Sequence, residues 1–193
     1  IPAFAGMTAL EEKRGLQGNR IFIRNVFINE ILNLCNNNRK NHHYCTNMKN
    51  NEIIMSLLKV LKYPDPRLRN KAKPVESFDA KLSEIIDDMF ETMYEDNGVG
   101  LAATQVAINM RIFVADPQDD SGQKPFHLIN PEITLAKGHF KHQEGCLSVP
   151  GIYEKVERAN HIIVKAFDKN GEVIEMEKEG FHAVIIQHEL DHL

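Results

Sequence analysis

Leu82, Ile85, Ile86, Met89, Phe90 and Met93 recur at steps of three and four, which predicts an amphipathic helix from about Asp79 to Asp96. Asn97-Gly98 marks its stop. Val99 to Val106 and Arg111 to Ala115 read as short strands, the second closed by Asp116-Pro117. His127 to Pro131 and Glu132 to Leu135 read as extended. A hairpin is predicted from His161–Phe167, the turn Asp168-Lys169-Asn170-Gly171 and Glu172–Met176, because Asn-Gly supplies the positive backbone angles of tight turns. Phe181 to Leu193 reads as a helix whose first turns carry the apolar run Ala183-Val184-Ile185-Ile186. No Gly, Asn or Pro follows to stop it, so its last carbonyls are expected to lack intrahelical partners. One helix, several strands and a second helix give an α+β chain, not alternating βαβ units.

Before residue 55 the pattern differs. Residues 1–54 hold eleven of the chain's seventeen asparagines and carry four acids against seven bases, whereas residues 55–193 carry 23 acids and 16 bases. Ile21 to Leu34 could form a short helix, but the polar run Asn36 to His43 continues no pattern and offers little apolar area to bury. Met55 is therefore expected to be the true start, with residues 1–54 a poorly ordered leader. A transit peptide is disfavoured by Glu11, Glu12 and the scarcity of serine.

Composition narrows the function classes. The chain has 193 residues, 42% hydrophobic and 26% charged, enough for one domain with a buried core. A net charge of −4 gives no basic footprint for nucleic acid. No apolar run reaches the roughly 20 residues that span a bilayer. Three cysteines (Cys35, Cys45 and Cys146) are too few for a disulfide framework and suit a reducing compartment or a metal ligand.

The strongest chemical signal is Gln187-His188-Glu189-Leu190-Asp191-His192. Histidines four apart lie on one helix face, roughly 6 Å apart along the axis, so both imidazoles can reach one metal ion. Glu189 stands beside the first and can reach a water at that ion. A catalytic site of this kind usually takes three protein ligands. Only Leu193 follows His192, so the third ligand is expected upstream. Glu144-Gly145-Cys146-Leu147-Ser148 supplies the one cysteine outside the leader, although Cys146 taken alone reads rather as a small buried hydrophobe. Thiolate and imidazole donors suit Fe(II), Zn(II), Ni(II) or Co(II) rather than Mg(II) or Ca(II). Gly98-Val99-Gly100-Leu101-Ala102-Ala103-Thr104-Gln105 lets a backbone approach another chain closely, and its spacing is that of neither phosphate-binding glycine motif.

Together the segments Gly98–Gln105, Glu144–Ser148 and Gln187–His192 resemble, in order and spacing, the three motifs of the peptide deformylase family, and the opening Lys62-Tyr63-Pro64-Asp65-Pro66-Arg67-Leu68 is similar too. The resemblance covers residues 55–193. It implies short, mostly antiparallel sheets around a central HExxH helix, and an enzyme that removes the formyl group from N-terminal formylmethionine with release of formate.

It also implies roles. Cys146, His188 and His192 would hold one divalent ion, natively Fe(II), with Zn(II), Ni(II) or Co(II) as substitutes. Glu189 would move the proton, and the Gln105 amide with the Leu147 backbone N–H would meet the oxyanion. Val99 and Gly100 would pair with the substrate backbone opposite Gly145, and Val99, Leu147, Val184 and Ile185 would line the methionine pocket. Plain core packing is an equal reading for Val184 and Ile185. Glu144 and Arg158 are expected as an ion pair steadying the cysteine segment. The partners implied are formylated N-termini of nascent polypeptides near the ribosome, with neither nucleic acid nor membrane. The implied home is the bacterial cytoplasm, or an organelle if residues 1–54 are a presequence. Relative to the family, the chain lacks its C-terminal end. Two other functions stay open: a silent deformylase-like metal-binding domain, and an HExxH metallopeptidase, which the absence of a downstream ligand disfavours.

Overall fold

The computed structural model describes residues 57–193; the expected leader, the Ile21–Leu34 helix and the proposed start at Met55 lie outside the described residues. The elements are α1 (Ala80–Glu95), β1 (Gly100–Ala102), β2 (Ile112–Ala115), β3 (Phe126–Lys137), β4 (Phe140–Cys146), β5 (Val149–Arg158), β6 (His161–Phe167), β7 (Val173–Glu179) and α2 (Gly180–Asp191), with 3-10 turns at Pro66–Arg69 and Ala103–Val106. The large sheet has the order β1-β2-β3-β6-β7, and β4-β5 form a separate hairpin. Every strand pair is antiparallel. This is the α+β arrangement expected.

Strand β2 shows how the core is divided. Its four residues are all buried, because the sheet is covered on both faces. Ile112 and Val114 pack with Leu82, Ile86, Met89 and Met93 of α1. Phe113 and Ala115 point the other way, to Ala183, Ile185 and Ile186 of α2. The apolar run Ala183–Ile186 is buried throughout, as a helix held between sheet and hairpin requires. The HExxH helix is therefore central.

Helix α1 starts where Asp79 Oδ1 accepts the Leu82 N–H at 2.9 Å. It ends as Asn97 takes a φ of 56° and the Gly98 N–H reaches the Met93 carbonyl at 2.8 Å.

Several expectations are corrected. The strand expected over Val99–Val106 is only three residues long. The Gln105 side-chain carbonyl accepts the Ala102 N–H at 2.8 Å and folds Ala103–Val106 into a 3-10 turn. His127–Pro131 and Glu132–Leu135 belong to one strand, interrupted at Asn130, whose φ is 51° and whose amide side chain bonds both backbone groups of Val75. In the β6–β7 turn only Gly171 has a positive φ; the Asp168 carboxylate organises the loop by accepting the Asn170 and Glu172 N–H groups at 2.8 and 2.9 Å. The last carbonyls of the HExxH segment, without intrahelical partners as expected, are met by tertiary ones. Thr104 Oγ1 donates to the His192 carbonyl at 2.8 Å, and the Ala72 N–H to that of Leu193 at 3.1 Å. The β4–β5 hairpin went unread, although half-buried and exposed residues alternate along all of β4.

Candidate metal centre

Cys146 ends β4, where the register steps from Gly145↔Tyr153 to Cys146↔Val149 and Leu147-Ser148 make the turn. Strand alternation puts Glu144 and Cys146 on one face, turned toward α2. The helix brings His188, Glu189 and His192 to the same place. Cys146 Sγ lies 3.4 Å from His192 Nε2, and the two imidazole centroids are 5.2 Å apart in an edge-to-face arrangement. Donor atoms of Cys146, His188 and His192 all lie within 4.8 Å of one another. The trio picked out in the sequence is brought together.

The carboxylate of Glu144 ties strand to helix. It accepts from His188 Nδ1 at 2.8 Å and from Arg158 Nη2 at 2.9 Å, while Arg158 Nη1 reaches Asp191 at 2.9 Å. Burial would raise the Glu144 pKa, but the bonds from Arg158 and His188 outweigh it and hold the group below its usual value. An ionised carboxylate only accepts, so His188 Nδ1 is the donor to it and Nε2 is the ring nitrogen left to face a metal. Burial, then the nearby His188, lowers the His192 pKa to about 4, which leaves that ring neutral. Burial also pushes the Cys146 thiol up, against hydrogen bonds from the Ser148 and Val149 N–H groups.

Glu189 is only 4% exposed, and its Oε2 has no hydrogen-bond partner. Burial raises its pKa to about 8. Such a buried, unpaired oxygen is costly unless a proton, water or ligand meets it. Gln105, 2% exposed, is fixed at both ends of its amide: Oε1 accepts from Ala102, and Nε2 donates to Ser148 Oγ at 3.1 Å and to Cys146 Sγ at 3.5 Å.

A cleft of about 620 Å³ opens onto this cluster, lined by Val99, Gly100, Gln105, Gly145, Leu147, Val184, Ile185 and Glu189, among others. All the pocket residues named from the sequence thus face one space. Ile185 packs into the core cluster of α2 as well. The Val99 carbonyl already accepts the Asp116 N–H at 2.9 Å, and the open backbone edge of β1 is that of Gly100. Sequence reading missed Lys62, Ile152, Tyr153 and Phe181, which also line the cleft. Only the pairing of β5 with β4 could have exposed Tyr153, whose ring lies against Gly145. His142 is no ligand: it is sandwiched between Phe140 and Phe181 at centroid distances of 5.8 and 5.1 Å.

One sulfur and two imidazoles, with an unsatisfied carboxylate oxygen lining the adjoining cleft, suit a borderline-soft divalent ion. Among the described residues no other group of His, Cys, Asp and Glu side chains converges in this way, and no helix is long and apolar enough to cross a membrane.

Known proteins resemble this chain over the same region. The family model for polypeptide deformylase matches residues 57–193. A peptide deformylase of Hahella chejuensis is 56% identical over 140 residues, covering 72% of this chain and 83% of that protein. One from Chromobacterium violaceum is 55% identical over 139 residues, with the same shares. The crystal structure of a Legionella pneumophila peptide deformylase superposes with a TM-score of 0.68 at 47% identity, covering 71% of this chain and 80% of that one. That from Thermotoga maritima gives 0.68 at 45% identity, covering 72% and 92%. By fold, by motif and by kinship, this chain belongs to the polypeptide deformylase family.

Proposed function

We propose that Cys146, His188 and His192 hold one divalent ion and that Glu189, Gln105 and Leu147 act beside it in the family's reaction, removal of the N-formyl group from N-terminal methionine. The observation that carries this reading is the convergence of one sulfur and two imidazole donors within 4.8 Å of one another, beside a cleft that the buried, unpartnered carboxylate of Glu189 also lines. When bound, such an ion lowers the pKa of water and polarises a carbonyl oxygen.

The protein's own groups do the rest. Glu189 Oε2 accepts a proton from the attacking water and returns one to the leaving amine. Burial raises its proton affinity and Oε2 has no competing partner, which suits a group that takes up a proton and gives it back. Gln105 Nε2 and the Leu147 N–H donate to the oxygen on which charge develops. The rigid fixing of the Gln105 amide supports this, since a preorganised donor of this kind contributes about 2.7–4 kcal/mol. Gly100 pairs with the substrate backbone along the open edge of β1, opposite Gly145. Val99, Leu147, Val184 and Ile185 enclose the methionine side chain.

The family resemblance puts Fe(II) first as the native ion, with Zn(II), Ni(II) and Co(II) fitting the same donors. The substrates are formylated nascent chains, met near the ribosome in the bacterial cytoplasm. The decisive assay pairs metal content with formate release after anaerobic Fe(II) loading. Release from a formyl-Met peptide, with no cleavage of its unformylated counterpart, is expected. Metal uptake without formate would leave a silent metal-binding domain, and internal cleavage would make the chain a peptidase.

A further inference from the structure

The segment just before the first 3-10 turn is fastened to both halves of the site. The Leu61 N–H donates to the Gln105 carbonyl at 2.7 Å, and the Tyr63 N–H to the Ser148 carbonyl at 2.8 Å. Between them Lys62 Nζ donates to the Leu147 carbonyl at 2.7 Å. That contact is the tightest the Lys62 ammonium makes; its other partner, Asp96, stands 3.5 Å away. The Leu147 carbonyl belongs to the same peptide group as the Ser148 N–H, and the Ser148 N–H is one of two backbone donors on the Cys146 sulfur. A cation is thus joined to the sulfur through a single peptide unit.

We infer that Lys62 is a positioning residue for the sulfur ligand: by pinning and polarising the Leu147–Ser148 peptide, it aims the Ser148 N–H at Cys146 and draws electron density from the thiolate. A hydrogen bond whose acceptor carbonyl is itself bonded to a cation polarises the N–H at the other end of that peptide, so the two bonds strengthen each other. Hydrogen bonds to a cysteine sulfur are a recognised lever on the electronic properties of the metal it binds. The carbonyl's position matters in its own right, since Leu147 and Ser148 make the turn that ends β4 and Ser148 also receives the Gln105 amide. An exposed lysine at the cleft rim is thereby given work that the ordinary reading of a solvated surface charge does not include.

This inference rests on Cys146 being a ligand, and the test separates the two. The full chain is loaded with Co(II), and the sulfur-to-cobalt charge-transfer band is recorded for the unaltered protein, Lys62→Met, Lys62→Arg and Asp96→Asn. Weaker withdrawal from sulfur makes it a better electron donor, so Lys62→Met shifts the band to longer wavelength. Lys62→Arg restores it, and Asp96→Asn, which removes only the 3.5 Å ion pair, leaves it in place. Lys62→Gln keeps a neutral donor and gives a smaller shift in the same direction; it serves as the readout if the Met variant fails to take up cobalt. Absence of the band from the unaltered protein overturns Cys146 as ligand, and the role of Lys62 with it. A band present in the unaltered protein and unmoved in both Met and Gln variants overturns the role of Lys62 alone.

Discussion

Gly100 and Glu189 stand so close that a Cβ at position 100 would overlap the Glu189 carboxylate. The glycine is there to make room for the carboxylate, with no turn or positive φ to explain it. Gly100→Ala must push the Glu189 side chain aside in a packed interior, at about 1–3 kcal/mol of stability. Catalysis is expected to suffer more than folding. A thermal melt and a formate-release assay on this variant should show a modest fall in Tm beside a large fall in kcat.

Glu189→Ala removes the proposed proton carrier and leaves the three donor atoms in place. Metal content should stay near that of the unaltered chain. Turnover should drop by about 10²–10⁴-fold, the usual contribution of a positioned acid–base group. Near-normal turnover would move the proton-transfer role elsewhere.

The Glu144 carboxylate is the link by which β4, β5 and α2 act together, accepting from both Arg158 and His188. Glu144→Gln keeps the shape and loses the charge, so the His188 Nδ1 proton is held less firmly. Metal affinity, followed by competition with a chelator, should weaken by about 10–100-fold. Arg158→Met should weaken it in the same direction, since it leaves Glu144 buried beside His188 alone.

His127 offers a pH test away from the site. Its Nε2 is buried without a hydrogen-bond partner, and burial, with Lys169 nearby, holds its pKa below the usual histidine value. The sign follows from linkage. Below about pH 6.5 the unfolded chain takes up a proton that the folded chain resists, so stability is fully present above that pH and falls as pH drops beneath it. Denaturant unfolding of His127→Gln between pH 5 and 7 should show a shallower acid loss than the unaltered chain.

What could be read from the sequence depended on how local the cause was. Helix α1 was legible because its apolar spacing, Asp79 cap and Asn97 stop all lie within the segment. The helix histidines His188 and His192, proposed as ligands, were legible for the same reason. The β1 strand was overread because a side chain, Gln105, captured the Ala102 N–H and turned the backbone. The β4–β5 hairpin and the place of Tyr153 depend on pairing between strands, which no single window of residues displays. Cys146 is intermediate: its thiol alone suggested a core residue, and only its agreement with two distant motifs marked it as a ligand. Lys62 was visible only as part of the family-like opening, and nothing there pointed to its bond with Leu147, 85 residues away in sequence.

X-ray absorption on the zinc-loaded chain reads the proposed centre, one ion held by one sulfur and two imidazoles, without intermediary. A single sulfur at about 2.3 Å and two imidazole nitrogens at about 2.0–2.1 Å are expected. A spectrum in which the zinc has no sulfur neighbour, or has no imidazole, would contradict it.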